Sequence, residues 1–182
     1  EDGADDPVRL RSERVWIVDP LDGTREFSEA GRDDWAVHVA LWERGDLVAG
    51  AVALPGRGVT LATPAVPARP QPPATPRILV SRTRPPAVAV RVCDAVGGEL
   101  VEMGSAGAKV AAVVTGRAEI YVHAGGQYEW DSAAPVAVAR AAGLHTSRID
   151  GTALRYNQAD PLLPDLLVCV PRYADAVLAA LR

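Results

Sequence analysis

Asp19 and Asp22 stand close together in the stretch VWIVDPLDGTREF, directly after the apolar run Val15 to Val18. The run ends at Asp19, Pro20 fixes the backbone after it, and one tight turn can then aim both carboxylates at one point. Gly23 lets the backbone approach a ligand closely, and Thr24 offers a hydroxyl and an N–H. Convergent carboxylates repel each other unless a cation or a shared proton relieves them. A hard divalent cation such as Mg²⁺ takes oxygen ligands only, commonly carboxylates together with phosphate oxygens. A glycine–hydroxyl turn beside the cation supplies N–H donors for phosphate. The stretch reads as a metal and phosphate site, although Asp, Pro and Gly are also ordinary residues of a surface turn.

Two downstream segments bear on that chemistry. Asp131, in YEWDSAAPVAVA, is expected at the start of a helix, where aspartate is equally at home as a plain N-cap. In GSAGAK, Ser105 and Lys109 are spaced to share one helix face. A helix N-terminus with a lysine one turn in suits an anion; the alternative for Lys109 is a solvated helix residue. His38 and His145 are read as structural, and His123 as structural or as lining a sugar or base pocket. Trp35 and Trp42 are read as core. Cys93 and Cys169 have no paired spacing, which argues against a cysteine zinc site and fits a reducing, cytoplasmic setting.

The apolar patterns supply the elements that must carry these groups. Val15 to Val18 is a short buried strand. Trp35 to Trp42 and Leu47 to Leu54, joined by the polar turn ERGD, form an antiparallel hairpin, and Val59 to Ala62 adds a further strand. Residues 63–76 are proline-rich and aperiodic. They are expected as an exposed connector between a mostly antiparallel metal-binding lobe, residues 1–76, and an α/β lobe, residues 77–182, with a proline-rich recognition ligand as the alternative. In the second half, strands at Ile78 to Val80, Glu99 to Met103, Ile120 to Val122 and Leu166 to Val170 alternate with helices. The helices are expected at Pro86 to Val96, Ser105 to Thr115, Asp131 to Ala142 and Ala174 to Leu181, and the alternation gives an α/β class.

The 182 residues are 48% hydrophobic, enough for a sizeable core. No apolar run reaches the roughly 18 residues that a membrane span needs, and no secretory leader is visible. The net charge of −4 and the absence of a basic stripe argue against a nucleic-acid partner. Lys109 is the only lysine among the basic side chains, a bias that follows arginine-rich coding. The first residue is Glu1 rather than Met, so a piece of a longer or processed chain is expected.

DPLDGT followed far downstream by WDSAA resembles the inositol monophosphatase-like superfamily of Mg²⁺-dependent, lithium-sensitive phosphatases. The continuation Arg25, Glu26, Phe27, together with VSRTRPP at residues 80–86 and GSAGAK, is similar to the nucleotidase branch, the CysQ-type 3'-phosphoadenosine 5'-phosphate (PAP) phosphatases of sulfate assimilation. The resemblance implies an αβαβα layered sandwich with mixed sheets. It implies two or three Mg²⁺ ions: one on Glu1, Asp19 and the Leu21 carbonyl, a second on Asp19, Asp22 and Asp131. Glu1 and Thr24 would orient the attacking water, with Asp22 among the catalytic acids. Gly23, Thr24, Arg25, Arg82, Arg84, Ser105 and Lys109 would bind substrate, the basic ones holding PAP's second phosphate. The N-terminal part that family members carry is absent from the stretch given. Inositol 1-phosphate or fructose 1,6-bisphosphate hydrolysis is the alternative within the fold, and a silent interaction module the alternative outside catalysis. Expected partners are a small phosphate ester and a second copy in a homodimer, with neither nucleic acid nor membrane.

Overall fold

The computed structural model describes residues 6–82 and 86–182. Glu1 and Arg84, both expected in the site, lie outside the described residues. The first sheet is antiparallel, in the order β1 (Arg14–Asp22), β2 (Ala36–Glu43), β3 (Asp46–Leu54), β4 (Val59–Ala62). A short helix, α1 (Thr24–Ser28), links β1 to the hairpin. The second sheet is mixed, in the order β6 (Glu99–Glu102), β5 (Arg77–Val80), β7 (Ile120–Tyr128), β9 (Leu162–Cys169), β8 (His145–Ser147). Its helices are α2 (Ala87–Val96), α3 (Ala106–Val114), α4 (Glu129–Ala141) and α5 (Pro171–Leu181).

Layering follows from which faces are apolar. On β2, Ala36, His38 and Ala40 alternate inward and are fully buried, as the period of a half-buried strand requires. Alanine- and valine-rich α3 and α4 fill the space between the sheets, and one core joins them to Ala36, Ala40 and Val52 of the first sheet and Leu166 and Val168 of the second. Close approach is possible because the contact residues are small: a Cβ on Gly50 of β3 would lie 2.7 Å from Ala137 of α4. A second cluster, including Ile78, Val92, Leu167 and Val177, packs α2 and α5 on the far face of the second sheet. Sheet, helix pair, sheet, helix pair are four of the five layers that the resemblance implies. The outer face of the first sheet exposes Trp16, Val18, Val39 and Val48.

Three expectations about the elements change. Strand β1 does not stop at Asp19 but continues to Asp22, with its pairing to β2 irregular between those residues. An irregular edge of this kind, rather than a turn beyond the strand, re-aims the side chains. Helix α4 starts before Asp131: Tyr128 is its N-cap, and Asp131 sits in the first turn, accepting the Tyr128 N–H at 2.6 Å. The connector 63–76 contains no strand or helix, yet it is not simply exposed. The Arg69 side chain donates to the carbonyls of Val113 and Ala118 at 2.9 and 2.8 Å and to Glu119 at 2.9 Å. No helix among the described residues is long and apolar enough to cross a membrane.

Candidate active site

The irregular end of β1 and the first turn of α4 bring Asp19, Asp22 and Asp131 together. One carboxylate oxygen from each lies within 4.8 Å of the others. Asp19 and Asp22 are buried, and Asp131 is partly so. Asp19 accepts the Leu21 N–H at 3.0 Å. Asp22 faces α3, where it accepts the Ser105 hydroxyl at 2.5 Å, the Gly107 N–H at 2.6 Å and the Ala106 N–H at 3.3 Å. Burial pushes the Asp131 carboxyl up to about 6; the Tyr128 N–H opposes the shift, and the charges of Asp22 and Asp19 add to it.

Among the described residues, no arginine or lysine forms an ion pair with Asp22 or Asp131. The nearby lysine, Lys109, is buried and donates to the Ser105 carbonyl at 3.0 Å, with its ammonium 5.2 Å from the centre of the Tyr121 ring. Three carboxylates held together with no arginine or lysine paired to Asp22 or Asp131, offering oxygen donors only, fit a hard divalent cation. Burial first, and the neighbouring charges of Asp22 and Asp19 after it, make the charged form of Asp131 costly, and a bound cation would offset that cost.

Gly23 and Thr24 follow Asp22 directly, at the start of α1. Gly23 has φ 84° and caps α1, and a Cβ there would lie 3.0 Å from that of Ser105, so only glycine fits. Thr24 opens α1. Ser105 itself has φ 48°, a strained value for a residue with a side chain. It is held by its hydroxyl, which donates to Asp22 and accepts the Ala108 N–H at 3.0 Å.

Among the described residues, the basic side chains expected to bind substrate have partners within the protein. Arg82 donates to Glu26 at 2.7 Å and to Glu29 at 3.0 Å, and these partners hold its guanidinium above its ordinary range. Arg25 pairs with Glu29 at 3.2 Å. Lys109 shares a helix with Ser105 but faces the interior, where burial lowers its pKa. Glu26 and Asp34 instead grip the segment before α3. Asp34 accepts the Gly104 N–H at 2.7 Å, and a Cβ on Gly104 would lie 2.2 Å from Glu26. His123 bonds the Gly126 carbonyl at 2.9 Å.

A cavity of about 800 Å³ opens beside Asp19 and Asp131, lined in part by Trp16, Tyr128 and Trp130. The Tyr128 and Trp130 rings stack with centres 4.5 Å apart. This aromatic wall is a feature that sequence reasoning missed. Tyr128 and Trp130 flank Glu129 at the junction of β7 and α4, and the sequence signal was their nearness to Asp131.

The chain matches the inositol monophosphatase family over residues 1–182. A 3'-phosphoadenosine 5'-phosphate phosphatase from Mycobacterium bovis is 55% identical over 190 residues, covering 100% of this chain and 71% of the relative. The 3'(2'),5'-bisphosphate nucleotidase CysQ of Escherichia coli is 30% identical over 172 residues, covering 86% of this chain and 68% of its own length. Among solved structures, an inositol monophosphatase II from Staphylococcus aureus superposes with a TM-score of 0.80 at 19% identity, covering 100% of this chain and 75% of its own.

Proposed function

Because the chain belongs to the inositol monophosphatase family, we propose that it is a Mg²⁺-dependent phosphatase that removes the 3'-phosphate of 3'-phosphoadenosine 5'-phosphate. The observation that carries the chemistry is the convergence of Asp19, Asp22 and Asp131. Support for the substrate is the identity to the mycobacterial PAP phosphatase. Asp19, Asp22 and Asp131 would hold the cations, with the Leu21 carbonyl and Glu1 as further oxygen donors. Bound there, Mg²⁺ offsets charge on the phosphoryl oxygens and acidifies water. The Gly23 and Thr24 N–H groups would donate to the phosphoryl oxygens, the left-handed Gly23 exposing the backbone for that purpose. The Thr24 hydroxyl and Glu1 orient the attacking water. It adds to phosphorus as the bond to the 3'-oxygen breaks, and that oxygen leaves as a hydroxyl. Ser105, whose hydroxyl joins Asp22 to the start of α3, would be a further substrate contact.

Phosphate release should be measured from PAP, inositol 1-phosphate and fructose 1,6-bisphosphate, each with Mg²⁺ and with EDTA. Release from PAP should be fastest and should stop with EDTA. Faster release from inositol 1-phosphate would replace the substrate, and no Mg²⁺-dependent release from any of the three would overturn the reading.

A further inference from the structure

We propose that His38 is a positioning residue of the metal centre. Its imidazole holds the Asp22 carboxylate and the backbone leading into Asp131 at the separation that brings the acids together. The proposal rests on the metal-dependent reading above and concerns a residue that its sequence context marks only as structural.

The register of β1 and β2 pairs His38 directly with Asp19. The side chain points inward and is fully buried. Its Nδ1 lies 3.1 Å from the Trp130 carbonyl oxygen and 4.0 Å from Asp19 Oδ2, while Nε2 lies 3.4 Å from Asp22 Oδ2. One ring thus touches all three acid-bearing segments. Its Nε2 makes no hydrogen bond of normal geometry. Burying an incompletely bonded polar atom is unfavourable, and an apolar side chain of similar size would fill the space without that cost. Packing alone therefore does not account for a histidine here. Helix α3 also leaves room for the ring: a Cβ on Gly107 would lie 1.9 Å from Nε2. The same Gly107 donates its N–H to Asp22. Asp22 is therefore hydrogen-bonded on one side by the start of α3 and in close contact on the other with His38. Partners of this kind set the orientation of metal ligands.

Three variants separate the two contacts. His38→Asn retains a polar atom near the Nδ1 position, His38→Gln one near the Nε2 position, and His38→Leu neither. Each protein would be cleared of metal, confirmed as folded by circular dichroism, and titrated with Mn²⁺ while free Mn²⁺ is followed by its paramagnetic resonance signal. The Leu variant should bind Mn²⁺ roughly tenfold or more weakly than wild type, and the Asn and Gln variants by roughly three- to tenfold. A folded Leu variant with wild-type Mn²⁺ affinity overturns the proposal. If the Leu variant does not fold, wild-type affinity in both the Asn and Gln variants overturns it equally. A wild-type chain that binds no Mn²⁺ overturns the metal reading and the role of His38 together, whereas normal wild-type binding with unaffected variants overturns the role of His38 alone.

Discussion

Asp22 does two things at once: it joins the acid cluster and it caps the start of α3 through Ser105, Ala106 and Gly107. Asp22→Asn should therefore abolish phosphate release and also lower stability. The cost should be about 1.5–3 kcal/mol, the usual effect of losing charge-assisted hydrogen bonds, and thermal melts beside activity assays would show both. The sequence alone suggests a clean loss of activity, because the three contacts come from a distant helix. Asp131 gives a pH dependence. Its carboxyl is raised from 3.8 to about 6, so the folded state favours the protonated form. That contribution is most favourable below the unfolded value and is lost as pH rises through about 6. A cation removes the penalty. Added Mg²⁺ should raise the melting temperature more at pH 7.5 than at pH 5, and equal shifts would contradict this account. The three aspartates were legible because each sits in a short local pattern. The pairing of Arg82 with Glu26 and Glu29 and the burial of Lys109 were not, because those partners lie on other elements.

At the scale of elements, the start of α3 is where the two halves of the chain meet. Three carboxylate residues of the first half, Asp22, Glu26 and Asp34, surround residues 104–107. Gly107 is the tightest point of this contact. Alanine there would gain about 1 kcal/mol of helix propensity but would drive a Cβ into His38, and overpacking of a filled site costs about 1–3 kcal/mol. With a clash at 1.9 Å, Gly107→Ala should be destabilising on balance, read as a lower urea midpoint. A midpoint at or above wild type would show that the ring has room to move. Most strands and helices could be read from period and punctuation, including β4 in full and the hairpin of β2 and β3. The length of β7 could not. It runs from Ile120 to Tyr128 through Gly125 and Gly126, and glycines inside a strand read locally as its end. What keeps the strand going is its pairing with β9, which is irregular between Ala124 and Gln127.

For the whole molecule, the proline-rich segment carries more structure than its composition suggests. Fully buried Glu119 accepts from Arg69 and from both the backbone and side chain of Arg77. Burial works against its charge, yet the bonds and charges of Arg77 and Arg69 hold its carboxyl below the ordinary 4.5. Glu119→Gln should cost about 3–5 kcal/mol, as breaking a buried ion pair does. Because a depressed carboxyl stabilises above its unfolded value and ceases to do so as pH falls through its folded one, the gap between wild type and variant in urea melts should close in strong acid. Composition alone marked residues 63–76 as the slack part of the chain, since no local pattern announces a guanidinium seated on the end of a helix. Pro70 lies against Gly116, where a Cβ would meet it at 2.5 Å, so the segment is strapped down at two adjacent points. A hinge needs backbone free to change its angles, and contacts at Arg69 and Pro70 oppose such a change there. One core joins residues of both sheets, and no large change of shape is expected when nucleotide binds. Small-angle scattering curves with and without bound product should then superimpose.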